Sequence, residues 1–156
     1  MITLKRKGEL HKKSNSPSDV NTEYMYHMMQ NPNVKLEDLL SSANLPTVGQ
    51  LLNIYMGRRS MGTTALFQLA GLNEKFGFRV MKGERAPSRD VLFRFAFVLE
   101  LNYEETQNLL KCGKEAALSA HRERDVVIMK ALVDQMQLME VEELLIDKNM
   151  EPLISK

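Results

Sequence analysis

The stretch GLNEKFGFRVMKGERAPSRD, residues 71–90, decides how the rest of the chain is read. Gly71 can end a helix, and Asn73 can accept the free amides of the next one. Gly83 can stop that second helix, so the spacing predicts a helix over about 74–82. Pro87 and Ser88 then start another. A helix ended by glycine, a turn carrying one apolar residue and a basic second helix together satisfy the helix-turn-helix pattern.

The same cues extend in both directions. Upstream, Gly62 precedes a helix expected over 63–70. Thr47 with Gln50 forms a capping box for a helix to about Arg59, with Val48, Leu51, Leu52 and Tyr55 on one face. Before that, Ser18 caps a helix expected over 18–30, with Tyr24, Met25, Met28 and Met29 as its apolar side. A short helix over 35–42 follows, closed by an Asn-Leu-Pro turn. Downstream, Val91, Leu92, Phe95, Ala96 and Leu99 recur at helical spacing. Asn102 and Glu105 open a helix to about Cys112, punctuated by Gly113. Two more helices are expected, over about 122–135 and 139–147. No stretch alternates apolar and polar residues for long, so the chain reads as all-α.

The last third repeats what precedes it. Shifted by 35 residues, RDVLFRFAFVLELNYEETQNLL aligns without a gap on RDVVIMKALVDQMQLMEVEELL. Arg89, Asp90, Val91, Ala96, Glu105, Leu109 and Leu110 meet identical residues at Arg124, Asp125, Val126, Ala131, Glu140, Leu144 and Leu145. The reading is a duplicated helical hairpin, with Glu105 and Glu140 at equivalent capping positions and the two Arg-Asp pairs bracing helix starts. The division expected is a basic arm over 1–17, a helical extension over 18–46, a helix-turn-helix domain over 47–113, and a C-terminal hairpin over 114–156 packed upon it.

A chain of 156 residues with 44% hydrophobic and 26% charged residues can bury a core. No apolar run approaches the roughly 20 residues needed to span a bilayer, and the N-terminus lacks a signal-peptide core, so a cytoplasmic protein is expected. The single cysteine, Cys112, falls in an apolar helical pattern and reads as a small hydrophobe. The net charge of +1 conceals polarity. Residues 1–13 carry a surplus of four positive charges and residues 51–94 a surplus of five, whereas residues 123–151 carry a deficit of five. Polyanion contact therefore belongs to the middle of the chain. His11, His27 and His121 lack metal-ligand spacing, and no phosphate-binding loop or nucleophile motif is present. The expectation is a protein that is not an enzyme and needs no cofactor.

Gly71, Leu72, Asn73, the helix from Glu74, then Gly83, Arg85, Pro87 and Ser88 are the positions at which the sequence resembles the lambda-repressor-like (Cro/XRE-type) helix-turn-helix family. The likeness covers about residues 47–111. It implies a lambda-repressor-like bundle, extended here by a duplicated C-terminal hairpin and a short helical N-terminal extension. It also implies a transcriptional regulator of bacterial or phage type that binds double-stranded DNA, commonly as a homodimer, with the helix over 74–82 in the major groove. Carried over residue by residue, Glu74, Lys75 and Arg79 take base-contacting places, and Thr63, Lys82 and Arg85 take phosphate-contacting ones. Lys5, Arg6 and Lys7 would add an arm along the duplex. A continuous positive face of Arg58, Lys75, Arg79, Lys82 and Arg85 would favour DNA.

The sequence departs from the family at two facing positions. Gly77 stands where an aliphatic residue is usual, and Phe67 stands where a small residue is usual, so the ring at 67 is expected to fill the space left at 77. Glu74, the two phenylalanines Phe76 and Phe78 and the acidic C-terminal hairpin support a different reading. In it, the same scaffold serves as a protein-interaction, signalling or phage-defence adaptor, with the hairpin as a partner surface.

Overall fold

The computed structural model describes residues 20–41 and 46–154. The expected arm with Lys5, Arg6 and Lys7, the cap at Ser18 and most of the Asn-Leu-Pro turn lie outside the described residues. Among the described residues there are nine helices and no strand, so the chain is all-α. In chain order they are α1 (Val20–Met29), α2 (Leu36–Ser41), α3 (Val48–Arg58), α4 (Thr63–Leu69), α5 (Glu74–Met81), α6 (Arg89–Val98), α7 (Tyr103–Cys112), α8 (Glu123–Val133) and α9 (Leu138–Asp147). None of them is long and apolar enough to cross a membrane.

Helix boundaries follow the caps. Thr47 and Gln50 exchange side-chain and backbone bonds at the start of α3, and Asn102 and Glu105 do the same for α7. Ser88 accepts the Val91 amide to open α6. Each such cap satisfies amides that have no partner inside the helix and contributes about 1 kcal/mol. On α1 the expected apolar side is only partly realised. Tyr24 is buried, but Met29 is 59% exposed, and the buried polar neighbour Glu23 accepts the Tyr55 hydroxyl at 3.2 Å. The stripe rule counted methionines as core, whereas a carboxylate with a tyrosine partner took the inward place.

One core runs through the molecule. Val48, Leu51, Leu52 and Tyr55 of α3 are buried as expected, and α3 packs on α5 and α7. Helix α6 is the centre, with every residue from Val91 to Phe97 buried, including Arg94. A helix apolar all round needs neighbours all round. Here they are α4, α7 and α9.

The duplication read from sequence is present as geometry. Helix α6 packs on α7 and α8 on α9, while α6 also meets α9 and α7 meets α8. That reciprocal pattern is a pseudo-two-fold arrangement of two hairpins. Arg89 Nε donates to the Ala116 carbonyl at 2.9 Å, and 35 residues on, Arg124 Nε donates to the Glu151 carbonyl at 2.9 Å. Gln107 Oε1 accepts the Leu118 amide, and Glu142 Oε1 accepts the Leu153 amide at the equivalent place. Glu100 and Gln135 take left-handed φ values of 55° and 54°, as Lys114 and Asn149 do at 57° and 59°.

Between the hairpins the arginines cross over. Arg89 grips Asp125 with two bonds of 2.8 and 2.7 Å, and Arg124 grips Asp90 with two of 2.8 and 3.1 Å. The Arg-Asp pairs thus brace two helix starts against each other rather than each its own. Asp125 is 1% exposed. Burial alone would push its carboxyl up, but the bonds from Arg89 and the Ser119 amide and the charges of Arg89 and Arg122 hold it below its ordinary value.

Candidate nucleic-acid interface

The turn between α4 and α5 is built as its residue types dictate. Gly71 has φ 69°, a left-handed conformation open to a residue without Cβ, and its amide returns to the Gln68 carbonyl at 3.1 Å. The Leu72 amide reaches the Phe67 carbonyl at 2.9 Å, and Leu72 packs half-buried against the core. Asn73 Oδ1 then accepts the Lys75 amide at 2.8 Å and the Phe76 amide at 3.4 Å.

A side chain from α6 fixes this turn. Arg94, 8% exposed, extends from that helix and donates to the Ala70 and Gly71 carbonyls at 3.3 and 3.5 Å. A cation at the C-terminal carbonyls of α4 satisfies acceptors that the helix cannot and complements its dipole. Burial lowers the Arg94 pKa, opposed by the charges of Glu142 and Asp90. Sequence counting placed Arg94 among the surplus cations of the middle; the structure places it inside. The 35-residue register held a usable signal, because it sets Arg94 opposite Met129, an apolar residue packed against the core.

Helix α5 is strongly one-sided. Gly77 and Val80 are buried, whereas Glu74, Lys75, Phe78 and Arg79 are exposed. Gly77 lies directly against the ring of Phe67, which is fully buried. A Cβ built on Gly77 would come within 2.7 Å of three carbons of that ring. The two departures from the usual pattern are therefore a single fitted pair. Phe78 packs on the same ring, edge to face, with centroids 5.1 Å apart and planes at 87°. It remains 41% exposed. Phe76 is the half-buried one, beneath the Arg85 guanidinium at 5.7 Å. The end of α5 is held close to α3, since a Cβ at Gly49 would collide with the Met81 carbonyl oxygen.

Of the six residues singled out by sequence, Glu74, Lys75, Arg79, Lys82 and Arg85 are exposed on α5 and the segment that follows it. Thr63, the first residue of α4, is half-buried, and its helix has no side-chain cap at Gly62. Arg79 Nε lies 3.8 Å from Glu84 Oε1, with both side chains more than half exposed. An exposed pair of that kind contributes less than about 1 kcal/mol and yields readily to a stronger anion.

Arg58 does not join this face. Its guanidinium binds the buried Glu105 carboxylate and lies 4.8 Å over the Tyr55 ring. Arg59 pairs with Glu100 at 2.9 Å, and Arg89 and Arg94 point into the fold. The positive face that would include Arg58 is thus shortened to Lys75, Arg79, Lys82 and Arg85. Charge counting could not separate the two sets, because it cannot tell a cation tied to a partner far along the chain from one left exposed on α5 and the segment after it.

Cys112 is partly buried and packed against the core, and burial pushes its thiol up to about 12. His121 is exposed and His11 lies outside the described residues; among the described residues no group of three or more His, Cys, Asp or Glu side chains is placed to hold a metal ion. No protein-family model, curated protein or solved structure matches the chain.

Proposed function

We propose that the chain is a DNA-binding transcriptional regulator on a lambda-repressor-like helix-turn-helix scaffold, with α5 entering the major groove. The observation that carries this reading is the division of labour among cations. Arg89 and Arg94 are bound inside the fold and the exposed Arg58 is tied to the buried Glu105, whereas Lys75, Arg79, Lys82 and Arg85 stand exposed on α5 and the segment after it. In this assignment Arg79 reads guanine through a two-pronged contact, Glu74 and Lys75 face neighbouring base edges, and Thr63, Lys82 and Arg85 meet phosphates. Two copies of the chain reading paired half-sites would present two such helices one helical turn of DNA apart.

Binding to duplex DNA measured over a salt series tests the proposal. Affinity is expected to fall steeply as salt rises. Arg79→Ala should narrow the gap between specific and random duplex, and Lys82→Ala should weaken both alike.

A second reading is favoured by two specific observations, the carboxylate at Glu74 and the 41% exposure of Phe78 on the same helix. Both suit a protein partner better than a phosphate backbone. Failure to bind genomic or random duplex at low salt would replace the first reading with this one.

A further inference from the structure

We propose that the cleft where the start of α3 meets the end of α7 is a binding site for a phosphate group. It encloses about 390 Å³ and is lined by Arg85, Lys111 and Lys114, with no carboxylate among its lining residues. Each of these three is without an ion-pair partner among the described residues. They come from different parts of the chain, the segment after α5 and the end of α7, so only the tertiary fold gathers them. The Arg85 guanidinium also lies over the Phe76 ring, 5.7 Å from its centroid.

The backbone around the cleft favours the same sign. Thr47 Oγ1 takes the Gln50 amide at 3.1 Å, which leaves the Val48 and Gly49 amides at the first turn of α3 beyond reach of any helix carbonyl. At the end of α7, two carbonyls are already bonded. The Leu110 and Lys111 carbonyls accept the Glu115 and Lys114 amides at 2.9 and 3.1 Å. The first turn of α3, with Gly49 packed against the Met81 carbonyl, and the end of α7 thus both contribute to the lining. Val80, Pro87 and Cys112 supply an apolar floor, where a charge-assisted bond gains strength from reduced solvation.

Two sources can deliver this chemistry, a free phosphate compound or a backbone phosphate of bound DNA. Arg85 is shared between the cleft and the proposed DNA face, so the cleft continues that face around the molecule. Only the second source rests on the DNA-binding reading.

The test compares the wild-type chain with Lys111→Gln/Lys114→Gln, using titration calorimetry with inorganic pyrophosphate at constant ionic strength and duplex binding over a salt series. A free-phosphate site predicts that pyrophosphate binds the wild type and that the double variant binds it roughly tenfold more weakly or worse. A backbone site predicts that the slope of log affinity against log salt becomes shallower by about 0.9 for each DNA phosphate that the variant no longer neutralises. Pyrophosphate binding without any duplex binding would sustain the cleft while removing the DNA reading. Lys114→Gln alone, beyond the end of α7, serves if the double change unsettles that helix. If neither pyrophosphate affinity nor the salt slope responds, in proteins of unchanged melting temperature, the proposal is overturned.

Discussion

Replacing Gly77 sets two opposed effects against each other at one site. Alanine is better than glycine in a helix by roughly 1 kcal/mol, so propensity alone favours Gly77→Ala. Packing opposes it, because the new Cβ would sit 2.7 Å from three ring carbons of Phe67. Ordinary contact begins near 3.4 Å. The ring has little room to retreat, being fully buried with Phe78 against one side. Overpacking of this kind costs about 1–3 kcal/mol, so Gly77→Ala should be neutral to destabilising and Gly77→Ile should reach the upper end of that range. Phe67→Ala should cost about 3–5 kcal/mol by emptying the space. Combined, the isoleucine occupies what the ring vacated, and the double variant should be more stable than the sum of the single changes by about 1–3 kcal/mol. Urea denaturation of the four proteins measures this coupling directly, with the slope of the transition confirming a common unfolded state. Additivity of the two single changes, or a Gly77→Ile protein as stable as wild type, refutes the fitted-pair argument.

Three further outcomes follow from other parts of the fold. Asp125→Asn should destabilise the chain at neutral pH by about 3–5 kcal/mol, since it leaves Arg89 gripping a neutral amide in a buried place. Because the folded-state pKa of Asp125 lies below its ordinary value of 3.8, its stabilisation is complete above that value and is lost as pH falls through the folded one. The gap between wild type and Asp125→Asn in acid titrations of stability should therefore close below about pH 4, and a gap that stays constant to lower pH would contradict the ion-pair account. Arg94→Leu should loosen the α4–α5 turn, seen as faster hydrogen exchange at Leu72 and Asn73 than in the remainder of the core; uniform exchange would deny Arg94 that role. Cys112, with its thiol pushed up to about 12, should react with iodoacetamide at neutral pH far more slowly than a free thiol, and a rate matching the free thiol would mean it is not buried as described.

Much of the helical plan was readable because it depends on local chemistry. Thr47 with Gln50 and Asn102 with Glu105 mark helix starts, and Gly71 and Gly83 mark ends, by hydrogen bonds reaching only a few residues along the chain. The apolar faces of α3 and α6 were visible for the same reason, since period and burial go together. The duplicated hairpin was legible because duplicated contacts leave duplicated residues. Lys75, Arg79, Lys82 and Arg85, singled out through the family resemblance, are all exposed in the fold.

Only the tertiary structure decided which cations find partners far along the chain. Arg58 meets Glu105 47 positions away, Arg89 meets Asp125 36 away, and Arg94 meets Ala70 24 away. The crossing of the two Arg-Asp pairs was hidden similarly, because a linear register aligns Arg89 with Arg124 and says nothing of a two-fold exchange. Phe67 and Gly77 lie between these limits. Each looked unusual on its own helix, a fitted space could be anticipated, and the depth of the contact became measurable only when α4 and α5 were set against each other. By itself the sequence determined where helices begin, end and turn their apolar sides, through interactions within a few residues. The fold alone determined which side chains find partners across the core, and so which cations remain to meet an anion.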